Sequence, residues 1–443
     1  MTFNNPSPFK AQELLEHSAA TSALERGLFT PSSPISLEHA GVSETLVDSL
    51  VLKYLLNCGI ASGRAISEQL RLPFSVMTDH LRKMKTAQLV AYRGAAYSND
   101  YVHELTQDGH ERSARLYERC TYYGSSPVPL PDYIASVAAQ SPIRDRPNLS
   151  DLKHALKDLL VHPGIFCQLG QALSSVAAIF LYGAPGNGKT SIAERLTKAF
   201  GSDIWIPRAV LVDDEIMRIY DPALHEMAEV SDNEEESERV DARWVKIKRP
   251  TVIVGGELTL ESLELRADKA TGIVEAPVHL KSNCGTLVID DFGRQRVSTT
   301  DLLNRWIVPL EKRYDFLNTP GGKKVQFPFE QLTVFATNLE PKELVDEAFL
   351  RRIPYKIKAL DPSEKDFRRL FQYLAPRMDV QFHQATLDRL VEECYIKQNR
   401  PFRFCHVRDL LSQIKNYCVF LEKNVELSPD AVDAAVDNYF SLT

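Results

Sequence analysis

The chain has 443 residues, which is too long for one ordinary hydrophobic core and predicts two or three domains. Its 44% hydrophobic and 25% charged residues are typical of a globular protein, and a net charge of −7 argues against a protein that coats nucleic acid or membrane over its whole surface. The seven cysteines include no C-x-x-C pair, which excludes the usual spacing of a zinc or redox motif and favours free thiols.

The first 120 residues divide into an arm and a small domain. Residues 1–42 are rich in proline and serine and predict a loosely ordered arm. From Ser43, apolar periodicity predicts three helices, the second over Ser62–Leu70 and the third over Pro73–Thr86. A β-hairpin with its turn at Arg93-Gly94 follows. Three short helices and a hairpin resemble a winged helix, so we expect a winged-helix (α+β) domain over residues 43–120.

The role of this domain stays open between DNA binding and protein docking. The helix Pro73–Thr86 would be the recognition helix of a winged helix. Residues 43–120 carry ten Lys/Arg and nine Asp/Glu, whereas DNA-binding domains usually show a basic face. The candidate contacts to DNA or to a partner are Arg82, Lys83, Lys85 and Arg93.

The rest of the chain predicts an α/β domain. Residues 121–147 are punctuated by proline and polar residues and predict a linker, either free or docked on a neighbouring surface. From Asn148 onwards strands alternate with helices, the pattern of a parallel sheet. The acidic run at 232–238 predicts a solvated loop.

A complete phosphate-binding loop lies in this domain. It follows the apolar run Ala177–Tyr182 and precedes a helical pattern, which is the order of strand, glycine-rich turn and helix that a phosphate site needs. The backbone N–H groups and the helix N-terminus would bind phosphate, the lysine would reach the β- and γ-phosphates, and the threonine hydroxyl would hold Mg²⁺. The predicted nucleotide-binding residues are Gly183, Ala184, Pro185, Gly186, Asn187, Gly188, Lys189, Thr190 and Ser191.

Two adjacent carboxylates supply the expected chemistry. The apolar run Gly285–Ile289 predicts a buried strand that ends in Asp290 and Asp291. In α/β folds, ligands bind at the carboxyl ends of the strands. Asp290 would therefore hold Mg²⁺, and Asp291 would orient and polarise the attacking water. The usual residue at the second position is glutamate, so the shorter Asp291 allows for slow or water-relayed hydrolysis.

With these residues the chain resembles the AAA+ ATPases, and later residues keep the resemblance over about residues 150–443. Asn338, after the run Leu332–Thr337, matches the family's sensor-1 position. The segment with Arg351 and Arg352 resembles the arginine-finger segment, and we do not choose between the two. Arg408 matches the sensor-2 arginine at the start of a lid helix, with Arg403 as the second candidate.

The resemblance implies an architecture and cofactors. It implies a parallel α/β ATPase core over residues 148–360 and a helical lid over residues 361–443, with ATP and Mg²⁺ as ligands. An arginine that acts in the neighbouring subunit implies a homo-oligomer, expected to be a hexamer. The core would hydrolyse ATP, and the lid would convert hydrolysis into movement.

The subclass rests on a predicted hairpin. The run Tyr314–Phe329, with Pro-Gly-Gly at its centre, predicts a β-hairpin just before the sensor-1 strand. Such a hairpin resembles the branch of MoxR-like ATPases, magnesium chelatases and bacterial enhancer-binding activators, and Thr251–Cys284 resembles the helix-2 insert of that branch. The Gly-Ala-Phe-Thr-Gly-Ala loop of the activators is absent from the sequence. Thr251–Gly256 predicts an ordinary strand and turn, with a pore-loop role as the less favoured alternative.

Three functions follow as hypotheses. The first is a ring-forming ATPase that remodels a protein partner recruited by the winged helix. The alternative is an ATP-dependent DNA-binding regulator or DNA-remodelling factor. The third is a nucleotide-gated scaffold with little turnover, for which Asp291 in place of glutamate is the only sign.

The sequence also predicts where the protein works. The first residues lack the basic start and apolar core of a signal peptide, and no apolar run reaches the roughly 18 residues of a transmembrane helix. The eleven histidines include no H-x-x-x-H pair, so we expect no zinc site. A cytoplasmic protein without a membrane partner is expected.

Overall fold

The computed structural model describes residues 29–201, 203–229, 239–344 and 347–441. Most of the predicted arm, residues 1–28, and the acidic run 232–238 lie outside the described residues. The α-helices described are α1 Glu44–Cys58, α2 Gly63–Leu70, α3 Phe74–Thr86, α4 Gln107–Arg119, α5 Leu130–Ala139, α6 Leu149–Ala155, α7 Pro163–Ser175, α8 Lys189–Leu196, α9 Val278–Lys281, α10 Thr299–Lys312, α11 Pro341–Leu344, α12 Glu347–Leu350, α13 Glu364–Leu374, α14 Gln384–Leu390, α15 Phe404–Phe420 and α16 Pro429–Phe440.

The strands form separate sheets. In chain order they are β1 Ile60–Ser62, β2 Val90–Ala96, β3 Asp100–Leu105, β4 Val128–Pro129, β5 Ile179–Tyr182, β6 Ile204–Pro207, β7 Ala209–Val212, β8 Glu215–Arg218, β9 Trp244–Ile247, β10 Thr251–Val254, β11 Arg266–Ala267, β12 Val274–Glu275, β13 Thr286–Ile289, β14 Tyr314–Asn318, β15 Lys324–Pro328, β16 Leu332–Thr337 and β17 Tyr355–Lys358.

The N-terminal unit combines helices α1 to α4 with the antiparallel sheet β1-β3-β2. The three predicted helices are present, and a hairpin follows them. Its turn differs from the prediction: the chain reverses over residues 97–99, where Ser98 and Asn99 take positive φ angles of 59° and 58°. Gly94 lies instead at an irregularity in the β2–β3 register. Asparagine tolerates the left-handed conformation well, which explains a turn without glycine.

The segments predicted as a linker and as a loosely ordered arm are packed in the structure where it describes them. Residues 121–147, predicted as a linker, contain β4 and α5, and β4 joins a second sheet of order β11-β12-β8-β7-β4. Residues 29–42, the described part of the predicted arm, reach the same region. The buried Arg243 guanidinium donates hydrogen bonds to the carbonyls of Ala40 (2.8 Å) and Pro127 (3.0 Å). A buried guanidinium needs such partners, so both segments are held to Arg243, the residue before β9.

The central sheet carries the predicted fold class. Its order is β10-β13-β16-β5-β17, and all its pairings are parallel. Strand β5 therefore lies between strands that follow it late in the chain, and β13 is the neighbour of β16. The carboxyl ends of parallel strands share one edge, so the residues after β5, β13 and β16 meet there. The α/β class with a parallel sheet is confirmed.

Helices cover both faces of this sheet. Ile179 and Leu181 of β5 pack against α6, α7 and α8, whereas Phe180 between them packs on the opposite face with Trp306 of α10. Side chains alternate between the faces of a strand, and a strand buried on both sides is apolar throughout, as β5 is. The sheet is thus a buried layer that holds its carboxyl edge rigid.

The predicted hairpin over residues 314–329 is present as β14 and β15, paired antiparallel with Tyr314 opposite Pro328. Near its base, the Asp315 carboxylate accepts two hydrogen bonds of 2.7 Å from Arg305 of α10. Residues 251–254 form β10 of the central sheet, so the prediction of an ordinary strand there is confirmed.

A helical domain follows the sheet. Helices α13 to α16 enclose one core whose largest fully buried side chains are Phe367, Phe371 and Tyr395. Between α14 and α15, residues 391–396 form a π-helical turn. None of the helices in the described ranges combines the length and the apolar character that crossing a bilayer requires.

Candidate nucleotide-binding site

The phosphate-binding loop connects β5 to α8. Gly183, Gly186 and Gly188 have φ angles of 139°, 80° and 72°. A β-carbon at Gly183 would lie 2.5 Å from the carbonyl oxygen of Ala359, and one at Gly186 would lie 2.3 Å from the Cys405 sulfur. Both the backbone conformation and the lack of space therefore require glycine at these two positions. The loop passes directly into the N-terminus of α8, a site where backbone N–H groups attract anions.

Lys189 is held inside the loop. Its side chain is 7% exposed, and its Nζ donates hydrogen bonds to the carbonyls of Gly183 (2.9 Å) and Ala184 (3.0 Å) and to Oδ1 of Asn338 (2.6 Å). Burial lowers the pKa of Lys189, an effect that the charge of Asp290 opposes. The ammonium group is thus partly desolvated, which strengthens its attraction for an anion.

Thr190 and Asp290 form the second contact of the site. The Thr190 hydroxyl donates a hydrogen bond of 2.7 Å to Oδ2 of Asp290, which follows β13. Magnesium is bound in proteins through oxygen ligands, commonly one or two carboxylates plus phosphate oxygens. The hydroxyl and carboxylate oxygens of this pair therefore fit a magnesium ion beside the loop.

Asp291 and Asn338 form the third contact. Nδ2 of Asn338 donates to Oδ1 of Asp291 (3.2 Å), while its Oδ1 accepts from Lys189. Asp291 has a φ of 48°, unusual for a residue with a β-carbon and costing about 1 kcal/mol or more. Gln295 Nε2 donates to the carbonyls of Asp290 (3.0 Å) and Asp291 (3.2 Å) and holds this turn. The strain places the Asp291 carboxylate beside Asn338.

These groups open into a cavity of about 580 Å³. This volume lies in the range of small-molecule and cofactor sites. The loop residues Pro185 to Ser191 form its floor, and the two aspartates and Asn338 form one side. The remaining described residues of its wall are Asp158, Leu159, Leu160, Val161, Ile192, Arg195, Leu370, Leu374, Phe404, Cys405 and Arg408.

Most of that wall was not predicted from the sequence. The Arg195 guanidinium donates from Nε to both carboxylate oxygens of Asp158 (3.0 and 2.8 Å) and so fixes the segment 158–161 beside α8. The apolar side chains Leu370 and Leu374 come from the helical domain. Neither segment carries a motif, and both reach the cavity only through the packing of α6 and α13.

The structure separates the four candidate arginines. Arg408 lines the cavity with a side chain that is 74% exposed. Arg403 is 19% exposed and forms an ion pair with Asp361. The described residues that line the cavity include neither Arg351 nor Arg352. Arg351 is exposed, whereas Arg352 is paired with Glu311 of α10.

The four candidate contacts of the N-terminal unit, Arg82, Lys83, Lys85 and Arg93, have partners within that unit. Arg82 pairs with Asp79 (3.2 Å), and Lys83 pairs with Glu44 (2.6 Å). The Lys85 ammonium lies 3.9 Å from the centre of the Tyr92 ring, and Arg93 lies 3.5 Å from Glu104. Each predicted DNA or partner contact therefore already faces an anion or an aromatic ring.

One histidine of the helical domain makes the stability of the protein pH-dependent. His406 of α15 has its pKa lowered to about 4, first because it is buried and second because Arg403 lies near it. Its Nδ1 lies 3.0 Å from the Tyr395 hydroxyl. Since the unfolded chain takes up the proton first, stability is present above the ordinary histidine pKa and is lost as pH falls towards 4.

We therefore expect His406→Gln to reduce the loss of melting temperature between pH 7 and pH 4. Because the ring is partly solvated, the difference should be about 1 kcal/mol rather than the full shift, which is about 4 °C or more for a domain of this size. The same change at exposed His154 is the control and should keep the wild-type slope. A wild-type slope in His406→Gln would contradict the expectation. Melting curves by circular dichroism measure both.

A family model described as a domain of unknown function, DUF8689, matches residues 363–438, within the helical domain. No curated protein matches the chain.

Among solved structures the chain is similar to NtrX from Brucella abortus, at 12% identity and a TM-score of 0.41, covering 66% of this chain and 59% of that chain. It is also similar to NtrX in complex with ATP, at 12% identity and a TM-score of 0.40, covering 66% and 62%. A third structure is the RuvB Holliday junction branch migration motor of Thermotoga maritima, at 13% identity and a TM-score of 0.37, covering 65% and 73%. The chain thus spans about three fifths of the NtrX chains that it matches.

Proposed function

We propose that the chain is an AAA+ ATPase that hydrolyses ATP with the help of Mg²⁺. The observation that carries the proposal is one connected set of hydrogen bonds in the cavity. Thr190 is bonded to Asp290, and Asn338 is bonded to both Lys189 and Asp291. Sequence motifs separated by about 150 residues therefore meet at one edge of the sheet, where phosphate chemistry needs them.

Each of these residues has a distinct role in the proposed reaction. Lys189 and the N–H groups of the loop bind the phosphates. Thr190 and Asp290 hold Mg²⁺, which neutralises charge on the phosphates when bound. Asp291 orients the attacking water and accepts its proton, and Asn338 fixes the Asp291 carboxylate. Oδ1 of Asn338 also accepts a hydrogen bond from Lys189. A phosphate that binds Lys189 replaces this hydrogen bond, and Oδ1 of Asn338 can then accept a hydrogen bond from the attacking water.

The proposal includes a ring. Arg351 is exposed and lies outside the cavity of its own chain, which supports a role in the site of a neighbouring subunit. Arg352 is already engaged by Glu311, which supports a structural role. We therefore assign the arginine finger to Arg351 and infer a closed homo-oligomer, taken to be a hexamer from the AAA+ resemblance.

The N-terminal unit favours a protein partner over DNA. Its ten Lys/Arg are nearly balanced by nine Asp/Glu. The four candidate contacts also face partners within the unit. DNA binding depends on cations that can neutralise phosphates. A balanced surface of this kind supports docking, so the proposed work is remodelling of a protein client. The alternative, a DNA-binding regulator, requires instead that this surface bind DNA.

The test is the steady-state ATPase rate per subunit against protein concentration, with and without duplex DNA, at two salt concentrations. We expect Mg²⁺-dependent turnover that rises steeply with concentration, because the site is completed by a neighbour, and that does not respond to DNA. Stimulation by DNA that fades with salt would instead support the DNA regulator. Tight ATP binding without turnover at any concentration would support the nucleotide-gated scaffold.

A further inference from the structure

The helical domain sits directly on the phosphate-binding loop. The N–H group of Cys405, in the first turn of α15, donates to the carbonyl of Gly186 (2.9 Å). A β-carbon at Gly186 would meet the Cys405 sulfur at 2.3 Å and the Arg403 β-carbon at 3.9 Å. The residues that begin α15 therefore touch the loop backbone without any intervening layer.

Asp361 joins the same two parts through side chains. Asn187 of the loop, 3% exposed, donates from Nδ2 to Oδ1 of Asp361 (2.6 Å). The same Asp361 oxygen forms the ion pair with Arg403. The Asp361 carboxylate, located just after β17, thus accepts a hydrogen bond from the loop and forms an ion pair with an arginine of the helical domain.

The segment that presents Arg403 is rigidly supported. The ring of Phe402 stacks on Tyr395 with 4.8 Å between centres and 8° between planes, and Tyr395 is fully buried. The Arg400 guanidinium lies 3.6 Å from the centre of the Phe440 ring, and the backbone N–H of Arg400 donates to the Tyr395 carbonyl (2.8 Å). The backbone at Arg403 is therefore fixed to the helical domain, so a change of partner at its guanidinium acts on the domain as a whole.

Arg403 and Lys189 both lie at the phosphate-binding loop. The β-carbon of Arg403 is 3.9 Å from the position that a β-carbon at Gly186 would take, and Nζ of Lys189 donates to the carbonyls of Gly183 and Ala184. Like charges disfavour each other, so an anion near both cations stabilises their charged forms. Asp361 supplies one negative charge at the loop, whereas the phosphates of a nucleotide would supply several.

We propose that Asp361 is a positioning residue that holds Arg403 against the phosphate-binding loop when no nucleotide is bound and releases it to the phosphates when nucleotide binds. Asp361 then competes with the ligand for Arg403, and the exchange couples nucleotide binding to the position of the helical domain. The inference rests on the proposed function, since it takes a nucleoside triphosphate as the occupant of the cavity.

The test is Asp361→Asn, whose amide oxygen can still accept from Asn187 but carries no charge for Arg403. The probe is the Mg²⁺ complex of a non-hydrolysable ATP analogue, and its Kd is measured by calorimetry. We expect Asp361→Asn to bind about fivefold more tightly than the wild type, the size of a modest ion pair. Arg403→Ala should bind more weakly, and the double variant should bind as weakly as Arg403→Ala alone.

A purely structural role for Asp361 predicts the opposite change in the Kd of the analogue. In that case Asp361→Asn would loosen the loop and weaken binding, and the loss would persist in the Arg403→Ala background; either result overturns the proposal. Asp379→Asn, which removes the same charge from an exposed pair with Lys415, is the matched control and should leave the Kd unchanged. The titration of the wild type distinguishes failure of this inference from failure of the proposed function, because a wild type that binds no analogue overturns the proposed function itself.

Discussion

Lys189→Ala is expected to lower the ATP turnover number by at least about 100-fold. Removing one preorganised donor from a desolvated site typically costs about 2.7–4 kcal/mol of transition-state stabilisation. Lys189 fits that description, because its Nζ is fixed by two loop carbonyls and by Asn338 and is shielded from water. Nucleotide affinity should fall as well, since the lysine contacts the ground-state phosphates in the proposed complex.

The measurement is steady-state turnover together with the Kd of the non-hydrolysable analogue. Lys198→Ala is the matched control, because Lys198 is an exposed lysine only nine residues further along the chain. It should keep wild-type turnover. An unchanged rate in Lys189→Ala, with the variant folded by its melting curve, would contradict both the assignment of Lys189 and the proposed ATPase.

The sequence predicted the centre of the site because its parts are local motifs. The loop from Gly183 to Thr190 is contiguous, and its glycines have the positive φ angles that such a turn requires. Asp290 and Asn338 each end an apolar strand, and the parallel sheet then brings these strand ends together. The hydrogen bonds among them follow from strand order rather than from any further signal.

The remaining parts of the site depend on packing between distant segments. Asp158 enters the wall of the cavity because Arg195 holds it there, and no spacing rule connects the two. Asp361 and Asn187 face each other because β17 lies beside β5. The segment 121–147 predicts a linker because its prolines, read alone, do not show that β4 pairs with β7.

Arg351→Ala is expected to lower turnover about 1,000-fold while nucleotide affinity changes little. An arginine supplied from a neighbouring subunit typically contributes a factor of about 10³–10⁵ to phosphoryl transfer. It acts on charge that develops in the transition state, so the ground-state complex is affected less. Arg352→Ala is the comparison. Since Arg352 pairs with Glu311, its loss should lower the melting temperature and should lower turnover far less than Arg351→Ala does.

Mixing two inactive variants tests whether Arg351 acts between subunits. Lys189→Ala retains the arginine and lacks a working loop, whereas Arg351→Ala retains the loop and lacks the arginine. In rings assembled from equal amounts of both, about a quarter of the interfaces join an intact loop to an intact arginine, because each interface is head-to-tail. We expect turnover to recover on mixing, well above either variant alone. If the mixture stays as inactive as its components while co-assembly is confirmed by light scattering, Arg351 does not complete a neighbouring site. The exposed side chain of Arg351 would then belong to a different surface of the ring.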